Sequence, residues 1–153
     1  MVVKNKRLKV GDILEIKIGS QYGYILYLGK HESYGDCVLV KPGTTKRVSN
    51  SKDIDFGASS YVTFYPAVRA NTLGLATPIG TCTDVPQVPL VFRRGMSLDP
   101  TRKSIPWIIE KGNKETLKKS LSLKERKIPI VFIWTHEGMV KAIRESWNPI
   151  NEY

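Results

Sequence analysis

Residues 9–29, KVGDILEIKIGSQYGYILYLG, decide the fold class of this chain. Every second residue from Leu14 to Ile18 is apolar, with charged residues between them, which is typical of a half-buried strand. Residues 19–21 break this run, and residues 22–29 form a second alternating run rich in tyrosine. Two such runs joined by a short polar break predict a β-hairpin.

Further strands are predicted downstream from β-branched, aromatic or continuous apolar runs. They cover residues 36–41, 60–65, 88–92, 105–110 and 128–134. The last of these is continuously apolar and is expected to be a buried central strand. Residues 44–60 are polar and are predicted to be a loop. Residues 116–123 carry leucines at helical spacing and are predicted to form one helical turn.

The clearest helix in the sequence covers residues 135–147. Thr135 is a suitable N-cap, because its hydroxyl can accept a hydrogen bond from the first turn. Met139, Ile143 and Trp147 recur at intervals of four residues and define the buried face. An Asn-Pro pair follows and ends the helix.

These elements predict a mainly β (α+β) domain that comprises residues 1–153. At 153 residues the chain fits one domain, and 41% hydrophobic residues can build its core without a metal or disulfide. Short, strongly twisted strands favour a small twisted sheet or a half-open barrel. We therefore expect about six or seven short strands with one C-terminal helix packed on them.

The sequence predicts a cytoplasmic protein. Its N-terminus, MVVKNKRLKV, is basic and lacks the apolar stretch of a secretory signal, and no segment approaches a membrane span. Cys37 and Cys82 match no metal-ligand spacing, so free thiols in a reducing compartment are expected. A single disulfide between them is the alternative.

The net charge of +10 and the pI of about 9.7 restrict the partner classes. A basic protein favours polyanions, acidic proteins or anionic membranes. Residues 93–127 hold eleven Lys and Arg against four Asp and Glu, so this segment carries most of the net charge. A solvated charged face is the simpler explanation for such a segment.

Residues that could perform catalysis are few. His31, Asp36 and Cys37 lie close in sequence and could form an activated thiol or a metal corner, although a polar hairpin tip explains them equally well. His136 stands beside Glu137 at the predicted helix start, where the carboxylate suits the helix dipole. Phosphate-binding glycine loops are absent from the sequence. We expect no enzyme activity, no cofactor and no metal.

A small-barrel nucleic-acid-binding protein is one functional alternative. Aromatic rings on such a barrel stack with bases, and cations along the same strands follow the phosphates. The residues in question are Tyr22, Tyr24, Tyr27, Tyr34, Lys17, Lys30 and Lys41. Burial of half of these tyrosines is the competing structural explanation.

The opening stretch also resembles a known family. Val10-Gly11-Asp12-Ile13 and Tyr22-Gly23-Tyr24-Ile25 are similar to the first two strands of the bacterial immunity protein family 26. Residues 104–113, SIPWIIEKGN, resemble its tryptophan strand and Gly-Asn turn, and residues 128–132, IPIVF, its next strand. Order and spacing agree from about residue 8 to 134, whereas residues 44–104 carry no part of the resemblance.

The resemblance implies a non-catalytic protein that neutralises a bacterial toxin by direct binding, with a cognate toxin as partner. Because inhibitors of nucleases tend to be acidic, the charge of +10 favours an acidic toxin surface or a toxin that is not a nuclease. Arg and Tyr are favoured as interface anchors. The predicted partner contacts are Tyr27, Tyr34, Arg93, Arg94, Arg102 and Lys103.

The two central tyrosines of the hairpin are expected to differ in role. Tyr24 alternates in step with Leu26 and Leu28, so its ring should enter the core. Tyr27 lies on the opposite face of the strand and should touch the partner. Replacing Tyr27 is therefore predicted to cost binding more than stability, and replacing Tyr24 the reverse.

Overall fold

The protein is mainly β, as the sequence predicts. The computed structural model describes residues 7–95 and 106–151, and within them it contains eight strands in two antiparallel sheets and two α-helices. The strands are β1 (Asp12–Ile18), β2 (Gln21–His31), β3 (Gly35–Thr45), β4 (Tyr61–Phe64), β5 (Thr77–Thr81), β6 (Val91–Gly95), β7 (Trp107–Lys111) and β8 (Lys114–Lys118). The α-helices are α1 (Ala67–Thr72) and α2 (His136–Arg144). In this part of the chain the sheets do not close into a barrel.

The first hairpin forms at the position that the alternating apolar residues predict. Strands β1 and β2 pair antiparallel with Ile18 opposite Gln21, so two residues make the turn. Gly19 has a φ of 62°, a left-handed conformation that glycine adopts without the usual steric cost. Hydrogen bonds to β3 and β5 on either side extend the hairpin into a five-stranded sheet with the order β4-β3-β2-β1-β5.

Both faces of this first sheet are buried. On one face, Leu14, Ile16 and Tyr27 pack with residues of α1 and α2. On the other face, Tyr24 and Leu26 pack in a cluster that includes Phe92 of the second sheet. An alternating strand in such a sheet buries both sets of side chains, so the alternation does not separate a core side from a solvent side.

Gly23, between the two tyrosines of the sequence YGY, is where α2 approaches the sheet. A Cβ atom at this position would lie 2.8 Å from Cγ2 of Ile143 and 3.1 Å from Cδ1 of Ile18. The first distance is shorter than real Cβ atoms show, and the second is tighter than most. The glycine therefore makes room for Ile143, a fully buried residue near the end of α2.

A connecting segment, residues 128–134, joins the two sheets. Its first half exchanges two backbone hydrogen bonds with Arg93 of β6, both 2.9 Å long. Its second half exchanges two with Phe64 of β4, 3.1 and 2.9 Å long. The second sheet, with the order β6-β7-β8, is thereby attached to the β4 edge of the first.

The prediction of a buried central strand over residues 128–134 is wrong. The segment makes isolated parallel bridges and no continuous ladder, because it changes partner strand halfway along. Ile130 is buried, but Phe132 and Ile133 are 42% and 65% exposed. A continuous apolar run does not by itself reveal how many of its side chains are covered.

Helix α2 begins as predicted and ends earlier. The hydroxyl of Thr135 accepts a hydrogen bond from the Gly138 amide at 3.0 Å, and Met139 and Ile143 are fully buried. The helix stops at Arg144 rather than at residue 147, because Ser146 adopts a positive φ of 53°. No helix in the described ranges is long and apolar enough to cross a bilayer.

Four further elements differ from the prediction. Residues 114–118 form strand β8 and not a helical turn, because the turn at Gly112-Asn113 folds them back onto β7. Helix α1 and strand β5 are absent from the prediction, because elements of six and five residues are too short to show a clear periodic pattern. The strand predicted over residues 88–92 begins only at Val91 and continues to Gly95.

Candidate functional site

The tip of the β2–β3 hairpin meets the second sheet through an aromatic cluster. The rings of His31 and Tyr34 are stacked with centroids 4.9 Å apart. The His31 ring also meets Phe92 of β6 edge-on at 5.3 Å, and Phe92 contacts Phe64 of β4 at 5.2 Å. The cluster thus packs the hairpin tip against β6, an edge strand of the second sheet.

Glu110 of β7 accepts hydrogen bonds from two of the predicted site residues. The Tyr34 hydroxyl donates to one carboxylate oxygen at 2.6 Å, and Arg94 Nε donates to the other at 2.6 Å. Arg94 also bonds to Glu115 at 2.9 Å. Burial, and then the hydrogen bond to Glu110, raise the pKa of Tyr34 to about 12. The structure brings Tyr34 and Arg94 together, but their polar atoms are engaged within the protein.

Tyr27 is placed differently from the prediction. Its ring does lie on the face opposite Tyr24, but that face carries α1 and α2, and only 6% of the residue is exposed. Burial raises the pKa of its hydroxyl. The expectation of a partner contact at Tyr27 is corrected, because a partner cannot reach a ring inside the core.

We therefore expect the Tyr27→Ala variant to lose stability. Removing a large buried ring costs roughly 3–5 kcal/mol of unfolding free energy, because the transfer energy is lost and a cavity remains. Urea unfolding followed by tryptophan fluorescence measures this loss. An unfolding free energy close to that of the wild type would show that the ring is not part of the core.

Arg93 also requires a correction, because it is fully buried. Its guanidinium donates to the carbonyl oxygens of Ile128, Arg126 and Pro149 at 2.9, 3.1 and 2.9 Å. It also lies over the Trp107 ring at 4.3 Å. Arg93 therefore joins residues 126–128 to Pro149 through hydrogen bonds, a role that we call the internal clamp. It presents no surface to a partner. Arg102 and Lys103, the other predicted cations, lie outside the described residues.

Two open grooves flank the segment that precedes β6. The first has a volume of about 510 Å³ and lies between the tip of the β2–β3 hairpin (residues 30–33) and the tip of the β7–β8 hairpin (residues 110–113). The second has a volume of about 650 Å³ and is lined by residues 124, 125 and 127–129 on its far side. Pro89 and Leu90 line both grooves and form the ridge between them.

Leu90 is the most exposed of the large apolar side chains that the structure describes, at 83%. Val88 and Pro89 beside it are partly buried, and Phe92 two residues later is 2% exposed. A regular strand over residues 88–92 would have turned Leu90 to the same side as Phe92. Since the strand begins only at Val91, Leu90 projects into solvent. Leu123, 77% exposed, adjoins the second groove in sequence.

Exposed lysines surround this ridge. They are Lys30 and Lys111 at the first groove, and Lys124 and Lys127 at the second. Across residues 7–95 and 106–151, none of the four takes part in an ion pair. We call the ridge and both grooves the Leu90 surface (residues 30–33, 88–91, 110–113, 124, 125 and 127–129).

The carboxylates of the Leu90 surface are mostly neutralised. Glu110 is held by Arg94, and Glu125 is bonded by the Ser122 amide at 3.0 Å and paired with Lys118 at 3.4 Å. These contacts lower the pKa of Glu125, the bond from the Ser122 amide most of all. Glu32 is exposed at the first groove and has no such partner among the described residues. Four lysines therefore face one unneutralised carboxylate.

The cluster of His31, Asp36 and Cys37 does not form an activated thiol. Cys37 is fully buried, and burial raises the pKa of its thiol to about 12, which opposes the thiolate. Asp36 accepts a hydrogen bond from the Val68 amide at 3.0 Å. Cys37 and Cys82 are both free, so the disulfide alternative is not formed. The described ranges contain no group of three metal-ligating side chains.

The tyrosines of the first hairpin do not form a stacking platform. Tyr24 is 1% exposed, and its hydroxyl donates to Glu15 at 3.1 Å and accepts from the Val48 amide at 2.9 Å. Tyr22 is partly buried beneath Arg47, 5.2 Å from the ring centroid. With Tyr27 in the core, the ring faces needed for base stacking are covered on this hairpin.

A histidine at the start of α2 is expected to make stability depend on pH. Nδ1 of His136 lies 2.7 Å from the Tyr65 hydroxyl, which can donate only to the neutral ring. Burial lowers the pKa of His136, and Glu137 partly opposes this. A pKa below the unfolded value of about 6.5 means that stability is lost as the pH falls through and below that value.

We expect the urea midpoint to fall between pH 7 and pH 5 in the wild type. The His136→Gln variant should show a smaller fall, since its side chain does not titrate. Midpoints measured at several pH values for both proteins check this. Equal pH dependence in the two proteins would exclude His136 as its source.

No family model matches the chain, and no curated protein or solved structure is found to be similar to it.

Proposed function

We propose that this protein is a non-catalytic binding protein that neutralises a bacterial toxin by direct contact through the Leu90 surface. The observation that carries the proposal is Leu90 itself, a large apolar side chain that is 83% exposed on a ridge between two open grooves. A contiguous apolar patch with a polar rim is typical of a protein-interaction site, and here Leu90 stands beside Val88, Pro89 and Ile128 in the lining of the grooves.

Leu90 is placed where it can act as an anchor side chain in a protein–protein interface. Binding energy in protein interfaces is concentrated in a few side chains that enter pockets of the partner, surrounded by contacts that exclude water. Leu90 can supply such an anchor, and the grooves of about 510 and 650 Å³ can receive side chains from the partner. Prolines at positions 86 and 89 restrict the backbone before Leu90, which lowers the entropy lost on binding.

The toxin part of the proposal rests on the sequence resemblance to the bacterial immunity protein family 26. Inhibition by occlusion needs no catalytic group in the inhibitor. The Gly112-Asn113 turn, which belongs to the resemblance, lines the first groove. In this proposal the protein and its toxin meet in the cytoplasm of the producing cell or of its neighbour.

The test begins with capture of the tagged full-length protein and its partners from the native lysate, with and without nuclease treatment. We expect one protein in stoichiometric amount in both samples. Its gene is then expressed in a test bacterium under an inducible promoter, alone and with this chain. The proposal predicts growth arrest by the partner alone and restored growth on co-expression.

Two other outcomes of this experiment would change the proposal. A partner that does not arrest growth would remove the toxin from the proposal and leave protein binding. Recovery of nucleic acid, or of proteins that disappear on nuclease treatment, would favour the nucleic-acid-binding alternative and overturn the proposal.

A further inference from the structure

We infer that the Leu90 surface recognises an acidic protein segment in which carboxylates flank an apolar contact. This inference rests on the proposed function and adds the chemical class of the partner. Its basis is the position of the four lysines, two at each groove, with Leu90 between them.

The charges of the surface are arranged to attract carboxylates. Lys30 and Lys111 stand at the first groove and Lys124 and Lys127 at the second, so cations lie on both sides of the apolar ridge. All four are exposed and, within the described part of the chain, outside any ion pair. Unpaired cations at an interface rim attract complementary charge and speed association.

The surface offers little to a basic partner. The carboxylate of Glu110 is already bonded by both Arg94 and Tyr34, and that of Glu125 by the Ser122 amide and Lys118. Only Glu32 remains to meet a cation among the acidic residues of the surface. A neutral partner would leave four lysines without counter-charges at the rim.

An acidic protein fits the surface better than a nucleic acid does. Both carry negative charge, but single-stranded nucleic acid is held by rings that stack with its bases. The ridge between the lysines is aliphatic, and the nearest rings, Phe92 and His31, are packed into the aromatic cluster. A leucine anchor requires an apolar patch on the partner, which a protein segment supplies.

The test is a selection of random 12-residue peptides displayed on phage against the full-length protein. Sequences that carry Asp or Glu on both sides of Leu, Ile, Phe or Trp should be enriched. Synthetic copies of the enriched peptides are then titrated against the wild type and two variants. The first variant reverses Lys30, Lys111, Lys124 and Lys127 to Glu. The second, a matched control, reverses Lys17, Lys46, Lys52 and Lys141, which are also exposed and outside ion pairs in the described residues.

Both variants change the net charge equally, so a general charge effect is removed from the comparison. We expect the first variant to weaken peptide binding by at least about tenfold and by more than the control does. Enrichment of peptides without acidic residues, no enrichment, or equal effects of the two variants would overturn the inference.

The captured native partner separates failure of this inference from failure of the proposed function. If the lysine reversal leaves the affinity of that partner unchanged while Leu90→Asp weakens it, the function stands and the acidic recognition is wrong. If neither variant weakens it, the partner binds elsewhere and both are overturned.

Discussion

The Arg93→Met variant is expected to lose roughly 3–5 kcal/mol of unfolding free energy, because it removes the charged donor of three hydrogen bonds to backbone carbonyls. The guanidinium bonds to three carbonyl oxygens from two separate segments, residues 126–128 and Pro149. Methionine preserves much of the volume but donates no hydrogen bond. The Pro149 carbonyl would remain buried without this donor, and the carbonyls of Ile128 and Arg126 partly buried, which is costly away from water.

The neighbouring arginine provides the control. Arg94 is 40% exposed, and its ion pairs with Glu110 and Glu115 are accessible to solvent and screened by salt. The Arg94→Met variant should therefore lose much less stability than the Arg93→Met variant. Urea unfolding of the two proteins under identical conditions measures the difference. Equal losses, or no loss at Arg93, would contradict the role of internal clamp.

The clamp also reaches the candidate binding surface. Ile128, whose carbonyl Arg93 bonds, and Pro129, whose carbonyl accepts from the Arg93 amide, both line the second groove. An Arg93 variant that remains folded should therefore bind its partner more weakly than the wild type does. The core and the Leu90 surface are therefore linked at Arg93.

The Leu90→Asp variant is expected to lose binding without losing stability. Because Leu90 is 83% exposed, the folded state gains little from it, and its replacement should leave the urea midpoint nearly unchanged. An interface anchor of this type contributes about 2 kcal/mol or more, and a carboxylate placed on an apolar contact adds a desolvation cost. We expect the Kd of the captured partner to rise about 30-fold or more.

Leu73→Asp is the matched control for this change. Leu73 is also exposed, at 57%, and follows helix α1 outside both grooves. It should leave the affinity unchanged, as measured by isothermal titration calorimetry. Similar losses in both variants would indicate a general effect of added charge and would remove Leu90 from the interface.

The elements that the sequence predicts correctly are those that depend on residues close together in the chain. The hairpin of β1 and β2 follows from period-two alternation and a glycine turn, and α2 follows from a Thr cap and an i, i+4 apolar stripe. Residues 128–134 were misjudged because their pairing changes from β6 to β4, which depends on where two distant strands lie. A local pattern contains no information on such a change of partner.

The candidate site was only partly predictable for the same reason. Alternation placed Tyr27 opposite Tyr24 correctly, but the helices that cover its face lie far away in sequence. Arg93 looked like a surface cation, because nothing nearby in sequence reveals the three carbonyl groups that surround it. The exposure of Leu90 depends on a strand beginning three residues later than its apolar pattern indicates.

Hydrogen–deuterium exchange of the protein, free and with its captured partner, tests the binding surface most directly. We expect slower exchange on binding at residues 88–91, 111–113 and 124–128, with little change at the β1–β2 turn. Protection confined to other parts of the chain would contradict the Leu90 surface as the site at which this protein binds its partner.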